Sequence, residues 1–330
     1  MNRAPITVLP EEVQAHPAVQ AWAGMGVAQA APTRVDVLVQ FASAAVYRLV
    51  DAGPGGTSVI AKRSPPAKLS AELTVYERVL PHLDVTYPRY YGSQPTDGGA
   101  LDGDRWIFLE DVGTEQYSDS NAGHLTLAAG WVARMHRAAA GLAVARELPD
   151  GGPNRYLAHL RAAREKIGRR LTGPDLTADD VAMLHGVVAV LNALESGWSQ
   201  IHTVCVGMPA TMVHGDFRPK NVYLRTYGSG LVCYPLDWET AGWGIPAPDL
   251  TRIDLNAYWA SAREWQPGLR LETVQRLRTL GQAFCAVAGI DWESTGLRFD
   301  SRRVISRPLS SIAVLVRRLA EAARAVGVLA

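Results

Sequence analysis

The 330-residue sequence has only three cysteines, Cys205, Cys233 and Cys285, an odd number scattered among apolar neighbours. So few, so far apart, they offer neither a disulfide framework nor a cysteine zinc site, and they read as reduced, mostly buried thiols. An excess of charge is also missing, with 33 Lys and Arg against 32 Asp and Glu and a formal net charge of +1. No whole-molecule field draws a polyanion, so neither nucleic acid nor an anionic membrane is expected as a partner. Long apolar runs are absent too. Residues 1–25 hold one Arg, two consecutive Glu and no run of signal-peptide length, and no later run approaches a membrane span. A cytoplasmic location is therefore expected. The oligomeric state leaves no mark in the sequence.

What is present is an ordinary globular composition, 48% hydrophobic and 20% charged, in a chain long enough for two lobes. Its most informative stretch is Val213-His214-Gly215-Asp216-Phe217-Arg218-Pro219-Lys220-Asn221-Val222, answered by Leu236-Asp237-Trp238-Glu239. An acid, a basic residue two places on, an amide five places on and a second acid 21 places on form the layout of a phosphoryl-transfer site. That chemistry needs one carboxylate near the attacking hydroxyl and two oxygen ligands for magnesium, while the phosphates supply the remaining ligands.

Residues 1–33 contain a short helical segment near Pro17–Met25 and are expected to pack on the first lobe. Alternation over Arg34–Val39 and Val46–Val50, broken by Phe41-Ala42-Ser43-Ala44-Ala45, predicts a hairpin with a small-residue tip. Such a tip lets backbone N–H groups approach a phosphate, and Ser43 adds a hydroxyl donor; a plain turn is the alternative. Thr57–Lys62 is a third strand ending in Lys62, followed by a helix over Leu69–Leu80 that carries Glu72 and Glu77. A lysine that orients phosphates must itself be held, and Glu72, nearer the strand end, is the preferred partner over Glu77.

Tyr87–Tyr91 and Trp106–Leu109 read as further strands. At Glu110-Asp111-Val112-Gly113 the sequence turns from strand-rich to helical. This predicts an α+β bilobal chain: a small antiparallel β lobe with one key helix over residues 1–112, ending in a hinge, and a larger, mainly helical lobe over residues 113–330. The cleft between lobes is where a ligand is expected, with the backbone of Glu110 to Val112 offered to a purine edge. Residues 156–171 form a basic helix, with Arg161, Arg164, Lys166, Arg169 and Arg170 on one face. That face is read as solvated, with an anionic partner as the alternative. Thr177-Ala178-Asp179-Asp180 is a capping box for the next helix. The last helix, Ser310–Val326, is amphipathic.

The run His214-Gly215-Asp216 to Asn221, followed by Leu236-Asp237-Trp238-Glu239, resembles the aminoglycoside phosphotransferase and choline kinase family, relatives of the protein kinases. Supporting pieces stand in the family's order: the Ser43–Tyr47 tip, Lys62, Glu72, the Leu109-Glu110-Asp111 hinge, the Trp131–His136 helix and Pro248-Asp249-Leu250. The resemblance covers about residues 34–255 and implies a protein-kinase-like fold. It implies that Asp216 is the carboxylate receiving or orienting the acceptor hydroxyl proton. Asn221 and Asp237 would hold Mg2+, with ATP or GTP as donor. Ser43, Lys62, Glu72, Glu110 and Val112 would then serve the nucleotide. Arg218 stands where protein kinases place a lysine facing the transferred phosphate, and a structural role is its alternative. His214 is expected to fix the loop, and Asp249 to bind the loop's backbone. The glycine-rich loop of protein kinases is absent, and Trp238-Glu239 replaces their Phe-Gly.

The acceptor has no motif. Tyr258, Trp259 and Trp265 form either an aromatic wall or core, and mixed charge over 263–272 disfavours a strongly cationic acceptor. The first reading is a phosphotransferase acting on a hydroxyl of an antibiotic, sugar or nucleoside-like small molecule. The second is a kinase for Ser or Thr of a short peptide. The third is a non-catalytic nucleotide-binding module, which would be expected to have lost at least one of Lys62, Glu72, Asp216, Asn221 and Asp237.

Overall fold

The structure is a computed structural model and describes residues 6–26, 30–41, 44–96, 103–173, 175–206, 208–228 and 230–329. Ser43 lies outside the described residues. The chain forms two compact units, Met1–Tyr117 with Pro219–Glu239, and Ser118–Arg218 with Thr240–Ala330.

The first unit is built on an antiparallel sheet of six strands in the order β1-β2-β3-β4-β6-β5. These are β1 (Ile6–Thr7), β2 (Arg34–Phe41), β3 (Ala44–Val50), β4 (Val59–Ser64), β5 (Tyr90–Pro95) and β6 (Arg105–Glu110). The predicted strand over 87–91 lies later than expected. Pro88 has no N–H to give a ladder, and pairing with β6 starts at Tyr90 opposite Leu109. Helix α1 (Pro17–Gly24) opens on a proline, with the His16 imidazole accepting the Ala18 N–H at 3.3 Å. It drives Trp22 into the sheet core, where the indole N–H donates to the Ala52 carbonyl at 3.1 Å and the ring meets Tyr91 and Phe108. Truncating a Trp buried in this way costs about 3–5 kcal/mol, so the N-terminal segment is part of this unit's core.

Helix α2 (Pro66–Thr74) begins earlier than the predicted Leu69, because Pro66 suits a first helical turn. Past Thr74 it widens into a π-type turn over Val75–Val79. Its buried face holds Leu69, Ala71 and Glu72, so a carboxylate sits among apolar side chains. The hairpin of β8 (Val222–Tyr227) and β9 (Gly230–Pro235) joins this unit by backbone bonds from the Tyr117 N–H to Val222 (3.0 Å) and from the Leu224 N–H to Glu115 (2.8 Å).

The second unit contains α3 (Ala122–Ala140), α4 (Pro153–Arg170), α5 (Ala178–Ser196), α6 (Trp198–Cys205), α7 (Leu255–Ala262), α8 (Leu271–Gly296) and α9 (Arg302–Ala325), with a short ladder between β7 (Thr211–Val213) and β10 (Gly242–Gly244). The capping box forms as the sequence predicts, the Thr177 hydroxyl accepting the Asp180 N–H while Asp180 accepts the Thr177 N–H. Helix α8 is central. Phe284 stacks on Tyr156 of α4 at 4.1 Å, and Gly281 lies so close to Ala247 that a Cβ would fall 1.9 Å from its carbonyl oxygen. Helix α9 starts eight residues before the expected Ser310 and runs through Pro308.

The cations on the basic face of α4 have carboxylate partners, although Arg161 and Arg169 remain exposed to solvent as a solvated face would be. Arg161 and Arg164 pair with Glu195, Lys166 with Asp291 at 2.7 Å, Arg169 with Glu165, and Arg170 with Asp300 at 2.7 Å. All of these pairs but Arg169–Glu165, which lies within α4, link α4 to α5, α8 and the segment before α9. Among the described residues no single helix is long and apolar enough to cross a membrane. All three cysteines are free, with Cys233 buried and Cys205 and Cys285 half-buried.

Candidate active site

Strand β4 alternates, and its pleat sends Lys62 to the same side as Glu72 of α2. Lys62 Nζ donates to Glu72 Oε2 at 2.7 Å and, equally closely, to Asp237 Oδ1. Burial alone would push the ammonium down, but the two carboxylates hold it above its ordinary value, so it stays cationic. Glu77, the other acid on this segment, accepts the Tyr90 hydroxyl at 2.6 Å instead.

Asp237 follows β9 with a left-handed backbone, φ 65°, which an aspartate adopts more readily than most residues. The Leu236 N–H donates to the Asn221 carbonyl at 2.8 Å, which fastens the residue before β8 to the residue before Asp237. Two hard oxygen donors, the Asn221 amide and the Asp237 carboxylate, thereby stand on tied strand ends. Among the described residues no group of three or more His, Cys, Asp or Glu gathers as a self-contained metal site.

At the end of β6 the Glu110 N–H is taken by the Arg89 carbonyl at 2.8 Å, and its side chain accepts from the Arg89 N–H and from Arg225. The Asp111 N–H bonds Ser58, and Asp111 itself pairs with Arg48 at 2.5 Å. Among the hydrogen bonds of the described residues, none uses the N–H of Val112, a buried residue.

In the second unit, the loop carrying Asp216 is suspended from Asp249. Both carboxylate oxygens of Asp249, fully buried, are used: Oδ2 accepts the His214 N–H (2.8 Å) and faces His136 Nε2 (3.2 Å), and Oδ1 accepts the Gly215 N–H (2.9 Å). His136 also meets the Tyr258 hydroxyl at 3.0 Å. On its other side the Thr240 hydroxyl donates to the His214 carbonyl at 2.9 Å. Gly215 has φ +79°, and a Cβ there would lie 2.5 Å from the Thr240 carbonyl oxygen, so only glycine fits. Asp216 itself is held at Oδ1 by Arg218 Nε, 2.7 Å away.

His136 belongs to this network, a role that no sequence motif assigns to it. It lies on the apolar stripe of α3, where an unpaired histidine would be costly, and that cost was the available signal. Tyr258 belongs to the network and is buried, and Trp259 donates its indole N–H to Leu269 at 2.8 Å. Neither these nor Trp265 lines the large groove of this unit, about 1400 Å³, which Asp216 and Arg218 border; Trp292 does.

The sheet, the Lys62-bearing strand, the Glu72 helix and the suspended loop define the protein-kinase-like fold. Residues 38–304 match the model of the phosphotransferase enzyme family, and the chain belongs to that family. No protein of curated function matches it by sequence. Among solved structures, it is similar to the microcompartment-associated aminopropanol kinase at TM-score 0.60 and 14% identity, covering 92% of this chain and 96% of that one. It is similar to the GDP and kanamycin complex of APH(2")-IIia at 0.58 and 16%, covering 89% and 94%. It is also similar to spectinomycin phosphotransferase, APH(9)-Ia, in complex with ADP and spectinomycin, at 0.57 and 12%, covering 97% and 98%. At such identities the likeness establishes the fold.

Proposed function

We propose that this protein transfers the γ-phosphate of ATP or GTP to a hydroxyl of a small molecule. The observation that carries the reading is Lys62 held between Glu72 and Asp237, each at 2.7 Å. A cation fixed beside a metal-binding carboxylate is what a nucleotide triphosphate needs, and a purely structural ion pair would not need the second acid. The solved relatives bound to GDP and to ADP support a nucleotide donor.

In this reading Lys62 binds the donor's phosphates and Glu72 orients it, with Ser43 as a further donor from the hairpin tip. Glu110 and Val112 present backbone to the base, where the unclaimed Val112 N–H suits an acceptor on a purine edge. The first unit thus serves the nucleotide and the second the acceptor. Asp216 orients the acceptor hydroxyl and takes its proton as the oxygen bonds the γ-phosphorus and the bond to the β,γ-bridging oxygen breaks, giving a phosphate ester and a nucleoside diphosphate. Arg218, already at Asp216, offers its fork to the phosphoryl oxygens. Magnesium fits the oxygen donors present, and Asn221 and Asp237 would hold it. When bound it offsets charge on the β- and γ-phosphates.

The test is transfer of labelled γ-phosphate from ATP and GTP, with magnesium, to a panel of hydroxyl compounds beside Ser/Thr peptides. Label on a small molecule is expected. Label only on peptides, or firm nucleotide binding without transfer to anything, would overturn the assignment.

A further inference from the structure

The loop that carries Asp216 is held by Asp249 on one side and by Thr240 on the other, and Thr240 is itself held by a residue outside the motif. Arg155 Nη1, in the first turn of α4, donates to the Thr240 carbonyl at 2.8 Å. The Thr240 hydroxyl donates to the His214 carbonyl at 2.9 Å, and the same Thr240 carbonyl oxygen is the atom that a Cβ on Gly215 would meet at 2.5 Å. Arg155 therefore grips the segment against which the backbone leading into Asp216 is packed.

The sequence around Arg155 fixes where its side chain starts. Helix α4 follows Pro149-Asp150-Gly151-Gly152. This stretch is tied to β10 by bonds from the Gly151 N–H to the Trp243 carbonyl and from the Trp243 N–H to the Pro149 carbonyl, each 2.8 Å. The two chains approach so closely that a Cβ on Gly244 would fall 2.2 Å from the Gly151 carbonyl carbon. Asp150 accepts the Gly152 N–H at 2.8 Å, and Pro153 opens the helix. The turn that carries Arg155 is thus anchored on the β7–β10 ladder, next to Thr240.

Nothing local favours a cation there. The start of a helix carries partial positive charge, so acids suit its first turn and cations oppose it, yet that turn of α4 has no acid and has Arg155. The five other cations of α4 each pair with a carboxylate. Among the described residues no ion pair uses Arg155, which is half-buried and spends its hydrogen bond on Thr240. A residue that breaks a local preference to serve a distant contact marks a place where that contact matters. The buried phenol of the neighbouring Tyr156 is pushed up, first by burial and then by Cys285, Asp249 and Asp216, with Arg155 opposing. The guanidinium therefore belongs to the surroundings of Asp216.

Resting on the phosphotransferase reading above, we propose that Arg155 is a positioning residue for phosphoryl transfer, holding the Asp216 loop in its working place through Thr240. It touches neither the nucleotide nor the acceptor. Its part is to keep Thr240, and with it the His214–Asp216 backbone, from giving way as hydroxyl and γ-phosphate are brought together. Misplacement of a reacting group by about 1 Å can cost about 10²-fold in rate.

The test compares Arg155→Met and Arg155→Lys in the full-length protein, each made alone and together with Asp216→Asn. Single-turnover transfer of γ-phosphate from ATP and GTP, with magnesium, is followed to aminopropanol, kanamycin, spectinomycin and water, beside equilibrium nucleotide binding. Arg155→Met should slow transfer about tenfold to a hundredfold with nucleotide Kd unchanged. Arg155→Lys, which keeps a charged donor, should recover most of the rate. Together with Asp216→Asn, where no base remains to be positioned, Arg155→Met should change the rate by less than about twofold. A merely structural role would lower the rate alike with and without Asp216→Asn. Thr240→Val breaks the next bond in the same series of contacts, so adding it to Arg155→Met should slow transfer little further. Arg155→Gln, which keeps a neutral donor, replaces Arg155→Met should that variant fail to fold. A parent-like rate in Arg155→Met, a loss that follows nucleotide affinity, or equal losses with and without Asp216→Asn overturns this inference alone. Bound nucleotide with transfer by the parent to none of these acceptors overturns the phosphotransferase reading, and this inference with it.

Discussion

Lys62 Nζ lies 2.7 Å from Asp237 Oδ1 although 175 positions of chain separate the two residues. Glu72, fully buried, approaches the same ammonium from α2. The three charges form one unit whose members cannot be removed singly at equal cost.

Lys62→Met leaves the Glu72 carboxylate buried without its cation and should destabilise the fold by about 3–5 kcal/mol. The double variant Lys62→Met/Glu72→Gln removes the stranded charge and should recover a good part of that loss. Urea midpoints of the two variants check this. A double variant no more stable than the single would mean that Glu72 is not held by Lys62. The raised Lys62 value implies that this pairing is fully present below the ordinary lysine value of 10.5 and is lost only as pH rises through the folded value.

Asp249 acts at one remove from Asp216. Asp249→Ala strands the His214 and Gly215 N–H groups and the His136 ring, and should cost about 3–5 kcal/mol. Asp249→Asn keeps the volume but offers one oxygen where two are used. It should lower kcat with nucleotide Kd unchanged, because the loop carrying Asp216 loses its suspension while Lys62 keeps its place. Equilibrium nucleotide binding beside steady-state kinetics separates the two. An unchanged kcat would make the Asp249 contacts irrelevant to the loop.

Local features were legible where one stretch of chain decides them. The β3 alternation and the Thr177–Asp180 capping box are of this kind, and with the ordered motifs they made the fold class readable. Features that depend on distant partners were not. The Ile6–Thr7 strand is too short to carry a period and exists because β2 offers it an edge. The basic face of α4 seemed available because its acids, Glu195, Asp291 and Asp300, stand 31 to 130 positions away. Trp292 looks like any helical aromatic until α9 is seen to leave it half uncovered.

Asp291 gives a pH test. Burial works against its ionisation, but hydrogen bonds from His159 and Lys166 win and hold its carboxyl below the ordinary 3.8. Its stabilising contribution is therefore complete above that value and is lost as pH falls through the lower folded value. Asp291→Asn should cost about 1–3 kcal/mol at neutral pH, and the gap from the parent should close only as pH falls below 3.8 and through the lower folded value. Melting temperatures across that range measure it. A gap that widens in acid would reverse the sign and detach Asp291 from the α4 pairing.

Asp216 and Asp237 are both carboxylates following short strands, yet they should fail differently. Asp216→Asn removes a proton acceptor without touching the Lys62 cluster, so turnover should fall by about 10²–10⁴ while nucleotide affinity stays nearly the parent's. Asp237→Ala removes a partner of Lys62 and an oxygen donor for magnesium together, so both nucleotide affinity and rate should fall, and raising magnesium should restore part of the affinity. Titration of each variant with nucleotide at low and high magnesium, beside single-turnover rates, distinguishes them. An active Asp216→Asn enzyme would move the base elsewhere. An Asp237→Ala enzyme with the parent's magnesium dependence would remove that residue from the metal site and leave its bond to Lys62 as structure alone.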